Sequence, residues 1–286
     1  MTPDMSPPEI FDRQRRRVLR ERAAGRAGDM FLWRQVAEDI AERLSMVKRN
    51  FGDILIIGPI GRWIQDILPP DASVTHGALS GGEISGPSVY CVEEDRLPYP
   101  PENFDLVIAA GTLDSVNDLP GALVQIRRIL RPDGLFLAHM FGAGSLALLK
   151  SILLEAEGDR AASHIHPQID LRSAADLLVR AGFKLPVADI DVTDVRYGDW
   201  RSIVSDVRDA GIGNALAGPR RYLGKDIGAR LDNAFAHRVD GQGRATEHFT
   251  HLYLSGWSPS ADQPKPAKRG SGQVSLADFL SKDRSG

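Results

Sequence analysis

The segment FGDILIIGPIGR, residues 51–62, decides the fold that the sequence predicts. Its aliphatic residues 54–57 lead directly into a turn that contains Gly58 and Gly61. A continuous aliphatic run that ends in glycines is typical of the first buried strand of a parallel α/β sheet. Because ligands of such sheets bind outside the carboxyl ends of the strands, we expect this glycine turn to face a ligand.

The composition of the chain excludes several classes of protein. Its 286 residues are 42% hydrophobic and 26% charged, with a formal net charge of −3. These values are typical of a soluble globular protein and do not predict a nucleic-acid partner. The single cysteine, Cys91, excludes an internal disulfide framework and a cysteine-based zinc site, and we expect it to be buried. Without a span of ~18 apolar residues or a secretory signal pattern, the sequence predicts a cytoplasmic protein.

A basic segment precedes the predicted sheet. Residues 13–26 contain seven arginines, and Glu21 is the one acid among them. The interpretation that we favour is a solvated face of a helix over residues 11–26. The alternative is contact with an anionic surface, which would place the protein peripherally at the inner face of a membrane. The arginines are Arg13, Arg15, Arg16, Arg17, Arg20, Arg22 and Arg26.

Strand and helix patterns alternate along the chain, which predicts a parallel, doubly wound α/β sheet with helices on both faces. We expect one domain over residues 30–257, preceded by the basic N-terminal helical extension (1–29) and followed by a flexible tail rich in proline and lysine (258–286). Strands are predicted at residues 54–57, 73–76, 88–92, 104–110, 135–141, 187–193 and 249–257, and helices at 11–26, 30–49, 63–68, 119–130, 145–157, 171–181, 200–207 and 223–235.

Acidic residues follow the third predicted strand. Glu93 and Glu94 stand at the carboxyl end of this strand, on the edge of the sheet that the glycine turn also faces. A carboxylate in this position can accept hydrogen bonds from an adenine amino group or a ribose hydroxyl, and the alternative is a solvated loop. The chain has no G-x-G-x-x-G, P-loop or G-x-S-x-G pattern, which argues against nicotinamide and flavin enzymes, nucleotide triphosphatases and hydrolases.

The histidines do not predict a metal site. His164 and His166 flank one residue before Pro167, and without a third ligand in view we favour a turn over a metal pair. His248 and His251 are three residues apart in the last predicted strand, so their side chains lie on opposite faces.

Several segments are similar to one protein family. The segment FDLVIAAGTLDSVNDLPGALVQIRRILRPDGLFLAHMFG, residues 104–142, resembles the central part of class I S-adenosylmethionine-dependent methyltransferases. More narrowly, it resembles the methyltransferase-like assembly factors of respiratory complex I, relatives of the malonyl-carrier-protein methyltransferase of biotin synthesis. FDR at residues 11–13 and GSGQVSLADFL at residues 270–280 are more particular to the complex I group. The resemblance runs from about residue 11 to residue 280.

The resemblance implies a Rossmann-like, seven-stranded class I methyltransferase sheet and S-adenosylmethionine as the cofactor. It implies Gly58, Gly61, Glu93 and Glu94 as cofactor-binding residues and assigns no catalytic residue. The biotin branch methylates a carboxylate, and the complex I branch is linked to hydroxylation of an arginine. We therefore expect modification of a protein subunit during complex I assembly, with a complex I subunit or assembly factor as partner. The alternative is a non-catalytic assembly chaperone.

The first motif of the family is reduced in this chain. Ile56 stands where the family has an acid, and Gly58 and Gly61 are what remains of the glycine run. The acid expected at the end of the second strand has no counterpart, and Asp114-Ser115 replaces the His-Trp pair that is frequent after strand four. A charge-assisted hydrogen bond contributes ~1.5–3 kcal/mol, so loss of the ribose acid is expected to weaken cofactor binding roughly ten- to a hundred-fold.

Overall fold

The computed structural model describes residues 9–26, 28–79, 89–158, 163–219, 224–261 and 263. Most of the predicted tail, and residues 1–8 of the predicted extension, lie outside these ranges. Within the described ranges the helices are α1 Arg13–Ala24, α2 Phe31–Ser45, α3 Gly61–Ile64, α4 Leu119–Ile129, α5 Ala147–Glu157, α6 Leu171–Ala181, α7 Trp200–Asp209 and α8 Ile227–Ala236. The strands are β1 Asp53–Ile57, β2 Ser73–Ala78, β3 Val89–Cys91, β4 Phe104–Ala110, β5 Leu130–Phe141, β6 Lys184–Tyr197 and β7 Ala245–Trp257.

The strands form one sheet in the order β3-β2-β1-β4-β5-β7-β6. Strands β1 to β5 are parallel to one another, and β7 runs antiparallel to both β5 and β6. The predicted seven-stranded sheet with helices on both faces is confirmed. The strand order reverses between β1 and β4: β2 and β3 are added on one side of β1, and β4 and β5 on the other. The carboxyl ends of β1 and β4 therefore flank the crevice where such folds bind ligands.

The aliphatic run of β1 is buried on both faces of the sheet. Ile54 and Ile56 pack on one face in a core shared with α2 and α5, whereas Leu55 and Ile57 pack on the other face in a core shared with α4 and α6. All four side chains are fully buried. Alternate residues of a strand point to opposite faces, so a strand covered by helices on both sides must be apolar throughout.

Local signals fix the ends of the helices. The Asp118 carboxylate accepts a hydrogen bond from the backbone N–H of Gly121 and begins α4, with Pro120 in the first turn. Gly182 ends α6 in the left-handed conformation, at φ 90°. These caps are encoded within a few residues of each helix end, and for this reason the sequence predicted both helices closely.

Helix α1 packs onto the carboxyl edge of the sheet. The backbone of Phe11 is held by Asn117: the N–H of Phe11 donates to the Asn117 side chain at 2.8 Å, and the Asn117 amide donates back to the Phe11 carbonyl at 2.9 Å. Asp12 caps the helix by accepting from the N–H of Arg15. The favoured solvated arginine face was wrong, because Arg16 and Arg20 are only 3% and 4% exposed.

Two further observations concern exposure. The expectation that Cys91 is buried was wrong: its side chain is exposed, because β3 is the edge strand of the sheet. Among the described residues no helix is long and apolar enough to cross a membrane.

Candidate functional site at the carboxyl edge of the sheet

The glycine turn after β1 lies against the end of β4. Gly58 has a φ of +106°, and a Cβ atom there would lie 2.1 Å from the carbonyl oxygen of Ala110 and 2.9 Å from Cγ2 of Thr112. Only glycine adopts this conformation at so close a contact without strain. Gly61 is buried and begins α3. The structure therefore places the predicted turn beside the segment that follows β4.

Glu94 is completely buried and is bound to Arg16 of α1. Two guanidinium nitrogens of Arg16 lie 3.2–3.3 Å from the Glu94 carboxylate oxygens. Arg16 also donates to the carbonyl of Thr112 at 3.0 Å and to the hydroxyl of Ser115 at 3.1 Å. Burial raises the pKa of Glu94, and the charge of Arg16 opposes this effect. The predicted carboxylate is thus at the sheet edge, with a guanidinium as its partner.

The neighbouring acids are held by the same helix. Arg13 donates to Glu93 at 2.8 Å and to both carboxylate oxygens of Asp95 at 2.6 and 2.9 Å, and Arg17 donates to Glu93 at 2.6 Å. Burial opposes ionisation of Asp95, but the hydrogen bonds and charge of Arg13 outweigh it and lower the pKa of this carboxyl. We call this set the arginine cluster: Arg13, Arg16, Arg17, Glu93, Glu94 and Asp95.

Arg20 and Trp33 cover the end of β4. Arg20 donates to the carbonyl of Gly111, and its guanidinium lies 5.5 Å from the centre of the Trp33 ring. Gly111 has a φ of +67°, and a Cβ atom there would lie 2.1 Å from the ring of Trp33. Helices α1 and α2 therefore close over the segment that follows β4.

The end of β2 carries a half-buried imidazole, that of His76, where the resemblance predicts a ribose-binding acid. His76 is paired with Ile56 of β1, and its Nδ1 atom is buried without a hydrogen-bond partner among the described residues. Burial lowers the pKa of His76, so the ring is neutral at pH 7. A neutral imidazole can donate to or accept from a ribose hydroxyl, and the sequence, in which an acid was expected here, did not predict this role for His76.

The residues at this edge fit S-adenosylmethionine in their chemistry. His76 has a ring nitrogen without a partner among the described residues, and Glu94 is a buried acceptor. However, Glu94 and its neighbour Glu93 accept hydrogen bonds from arginines of α1. Binding of the cofactor to these carboxylates therefore requires an exchange of partners.

A cavity of about 610 Å³ lies beside this edge, beyond the carboxyl ends of β4 and β5. None of the four predicted cofactor residues lines it. Its walls are mostly apolar, and Asp114, from the segment after β4, is the one carboxylate among the described residues that line it. The apolar walls include Phe141, Leu146, Leu149, Leu153, Val204 and Val207.

His166 closes the inner side of the cavity. Its Nε2 atom accepts from the backbone N–H of Ala215 at 2.9 Å, and its ring lies edge-on to Phe11, with 5.0 Å between the ring centres. Burial lowers the pKa of His166 although the carboxylate of Asp114 opposes this, so the imidazole is neutral. His164 instead lies 2.9 Å from Glu157. In the described ranges no group of three or more His, Cys, Asp and Glu side chains is placed to hold a metal ion.

Two buried histidines form a pair that the sequence analysis missed. Nε2 of His139 on β5 lies 2.9 Å from Nδ1 of His251 on β7, and both side chains are fully buried. Burial lowers the pKa of His139 well below its ordinary value and that of His251 to about 4, so both rings are neutral. The two residues are 112 positions apart, so only the pairing of β5 with β7 reveals their contact.

Comparison with known proteins identifies relatives over nearly the whole chain. Residues 74–138 match the methyltransferase domain family, which supports the cofactor that the sequence resemblance implied. The "arginine-hydroxylase NDUFAF5, mitochondrial" of Danio rerio is 32% identical over 94% of this chain and 89% of its own length. The malonyl-[acyl-carrier protein] O-methyltransferase of Laribacter hongkongensis is 27% identical over 87% of this chain and 91% of its own length.

Solved structures show the same fold. A Bacillus halodurans protein that is provisionally named a methyltransferase superposes with a TM-score of 0.50 over 78% of this chain and 98% of its own, at 12% identity. At this identity the likeness concerns the fold alone.

Proposed function

This chain belongs to the arginine-hydroxylase NDUFAF5 family, and we propose that it uses S-adenosylmethionine to modify an arginine of a respiratory complex I subunit during assembly. The observation that carries this proposal is a carboxylate-containing cavity beyond the carboxyl ends of β4 and β5, beside the glycine turn that follows β1 and the end of β2. The name of the relatives supports arginine as the target, and the sequence resemblance supports complex I. In this proposal residues 30–257 supply most of the site, and Arg15 and Leu19 of the N-terminal extension also line the cavity.

The chain's own residues have distinct parts in this proposal. The turn from Gly58 to Gly61 and the ring of His76 would hold the cofactor, with Glu93 and Glu94 as acceptors for its polar groups. When bound, S-adenosylmethionine supplies an activated carbon next to a sulfonium. Trp33 and Arg20 cover the end of β4 and exclude water from that side of the site.

Helix α1 controls access to the two glutamates. Because Arg13, Arg16 and Arg17 already satisfy Glu93 and Glu94, a ligand must compete with three guanidinium groups from the same chain. Such an internal competitor lowers the apparent affinity for the ligand, because only the fraction of molecules in which α1 is displaced can bind it. The proposal therefore includes weak cofactor binding by the free protein, and tighter binding once α1 is displaced.

Calorimetric titration with S-adenosylmethionine and S-adenosylhomocysteine tests the cofactor part. We expect saturable heat at high micromolar to millimolar ligand, and a His76→Leu variant with a several-fold weaker affinity. His237→Leu is the matched control, because His237 is exposed, lies against Glu155 and does not line the cavity. Absence of heat from the wild-type protein at millimolar ligand contradicts this part of the proposal.

Mass spectrometry of complex I subunits tests the modification. We expect an arginine-containing peptide with added mass in the wild-type strain and without it in a deletion strain. Identical spectra from the two strains contradict the modifying role.

The closed arginine cluster favours a second candidate function, a non-catalytic assembly chaperone. In this alternative Arg16 and Glu94 hold α1 in place permanently and no cofactor enters. Purification through this chain should then recover a complex I subunit or assembly factor even from a His76→Leu variant, which carries no substitution in the backbone-restricted turn at Gly58. Failure to recover a partner, together with normal complex I in a deletion strain, argues against this candidate.

A further inference from the structure

We propose that Asp114 binds the guanidinium group of the substrate arginine inside the cavity beyond β4 and β5. The inference rests on the proposed function for the identity of the substrate. It assigns a specificity-determining residue, and it predicts that binding of an arginine side chain depends on this carboxylate.

The first argument is the availability of the carboxylate. Along the same edge of the sheet, Glu93, Glu94 and Asp95 are each bound by arginines of α1. Asp114 has no hydrogen bond or ion pair with any of the residues that the structure describes, although Ser115 next to it is bound by Arg16. An acid that lines a cavity without a cationic partner is the group in this region that gains most from a cationic ligand.

The second argument is the environment of Asp114. The cavity walls are apolar, and the histidine that interacts with Asp114, His166, is neutral because burial lowers its pKa. An ion pair between a ligand and a carboxylate is stronger against apolar walls than in water, provided that the two groups are well aligned. A neutral His166 does not offset the charge of Asp114, and the nearby Arg16 and Arg20 are directed to Glu94 and to the carbonyl of Gly111.

The third argument is the shape of the ligand. Arginine carries a planar group that forms two parallel hydrogen bonds with a carboxylate, on an apolar stem of methylene groups. Phe141 and Leu146 offer apolar surface for such a stem, and Asp114 offers the acceptor. Asp114 follows Thr112 by two residues, and Thr112 is in contact with the cofactor edge through Arg16. The guanidinium would therefore be held next to that edge.

Two arginines also line the cavity and could favour an anionic ligand instead. Arg15 is occupied, because it donates to the carbonyls of Leu216 and Gly218. Arg208 lies at the end of α7, is exposed, and has no partner among the described residues. A ligand carboxylate bound to Arg208 is the competing outcome, and the experiment includes a probe for it.

The experiment is a calorimetric or NMR titration of the full chain with small amide probes. Acetyl-arginine-amide is compared with acetyl-citrulline-amide, which has the same shape without the charge, and with acetyl-glutamate-amide. The variants are Asp114→Asn and Asp114→Glu, with Asp176→Asn as the matched control, because Asp176 is exposed on α6. Thermal melts establish that each variant is folded.

We expect the wild-type protein and Asp176→Asn to bind the arginine probe at least tenfold more tightly than the citrulline probe, since one charge-assisted pair is worth about a factor of ten to a hundred. In Asp114→Asn this preference should fall below about twofold, and Asp114→Glu should retain part of it. Equal binding of the arginine probe by wild type and Asp114→Asn overturns the proposal, and so does a preference of the wild-type protein for the glutamate probe.

The cofactor titrations separate this inference from the proposed function. If Asp114→Asn binds S-adenosylhomocysteine like the wild type and restores the modified arginine peptide in a deletion strain, the proposed function stands and the role of Asp114 is refuted. If the wild-type protein binds no cofactor and complex I carries no modified arginine, the proposed function itself fails, whatever the probes show.

Discussion

The arginine cluster and the cavity around Asp114 lie at the same edge of one sheet, but their carboxylates differ in burial and in cationic partners. In the cluster, a fully buried carboxylate, Glu94, has a fully buried guanidinium, Arg16, as its partner. In the cavity, Asp114 is partly exposed and has no cationic partner among the residues that the structure describes. The comparison separates carboxylates that hold the fold from a carboxylate that is left for a ligand.

The difference follows from the cost of removing charges from water. Each ion of a buried pair loses several kcal/mol of hydration, which only a close partner and additional hydrogen bonds offset. Arg16 supplies both for Glu94, through its own charge and through its bonds to Thr112 and Ser115, which fix its orientation. Asp114 is only partly buried, so it does not carry the full desolvation cost of a buried ion.

The largest expected effect is the loss of Glu94. Glu94→Ala would leave the guanidinium of Arg16 buried without its carboxylate, and breaking a buried pair in this way costs about 3–5 kcal/mol. We expect this decrease in the free energy of unfolding, measured by urea denaturation at pH 7. A decrease below about 1 kcal/mol would mean that the pair is not buried in solution.

The double variant Arg16→Met/Glu94→Leu is the control for this experiment. It removes both charges and leaves apolar side chains in their place, a replacement that is often neutral or stabilising. We expect it to recover more than half of the loss, because only the hydrogen bonds to Thr112 and Ser115 are then missing.

Acid is expected to destabilise the protein through a third kind of buried group, the neutral pair of His139 and His251. Burial lowers the pKa of His251 from 6.5 to about 4, so the unfolded chain takes up a proton at a higher pH than the folded one. The stability that the pair contributes is therefore complete above pH 6.5 and is lost as the pH falls toward 4, by about 3 kcal/mol for His251.

Denaturation of the wild-type protein and of His139→Leu/His251→Leu between pH 7 and pH 4 measures this effect. The unfolding free energy of the wild-type protein should fall relative to that of the variant as the pH falls through this window, because the variant lacks these two imidazoles. Parallel pH profiles would show that neither ring is buried and neutral in the folded state. No such dependence is expected from the substitutions in the cavity.

Release of Glu93 should have a smaller effect and should act on the ligand. Arg13→Ala/Arg17→Ala removes the two close partners of Glu93 at the rim of the cluster, where Arg17 is 40% exposed, and leaves Arg16 3.8 Å from its carboxylate. We expect a stability loss of about 1–2 kcal/mol, because the pairs of Glu93 are partly hydrated, whereas Asp95, which also loses Arg13, is only 7% exposed. Since Glu93 then keeps only the more distant Arg16 as an internal competitor, the affinity for S-adenosylhomocysteine should rise several-fold. Arg172→Ala, in an exposed position of α6, is the control and should change neither value. An unchanged affinity in the double variant would show that α1 does not compete with the cofactor.

The sequence predicted the fold better than it predicted this site, for a physical reason. Runs such as residues 54–57, and caps such as Asp118 and Gly182, act over a few neighbouring positions and can be recognised locally. The contact of Arg16 with Glu94 joins residues 78 positions apart, and a run of arginines has the same pattern whether it faces solvent or a buried acid. The prediction that Glu93 and Glu94 lie on the same sheet edge as the glycine turn needed only strand order. Their partners, and the free nitrogen of His76, depend on tertiary packing.

The smallest expected effect on stability is that of Asp114→Asn, which is compared with Glu94→Ala in the arginine cluster. Asp114 forms no ion pair or hydrogen bond with the described residues, so its removal breaks no buried interaction and should change the free energy of unfolding by less than about 0.5 kcal/mol, as for most exposed positions. The same substitution is expected to abolish the preference for the arginine probe. Urea denaturation of this variant beside Glu94→Ala measures both regions on one scale. A loss above about 2 kcal/mol for Asp114→Asn would place Asp114 with the acids that hold the fold, because a carboxylate kept for a ligand does not stabilise the free protein.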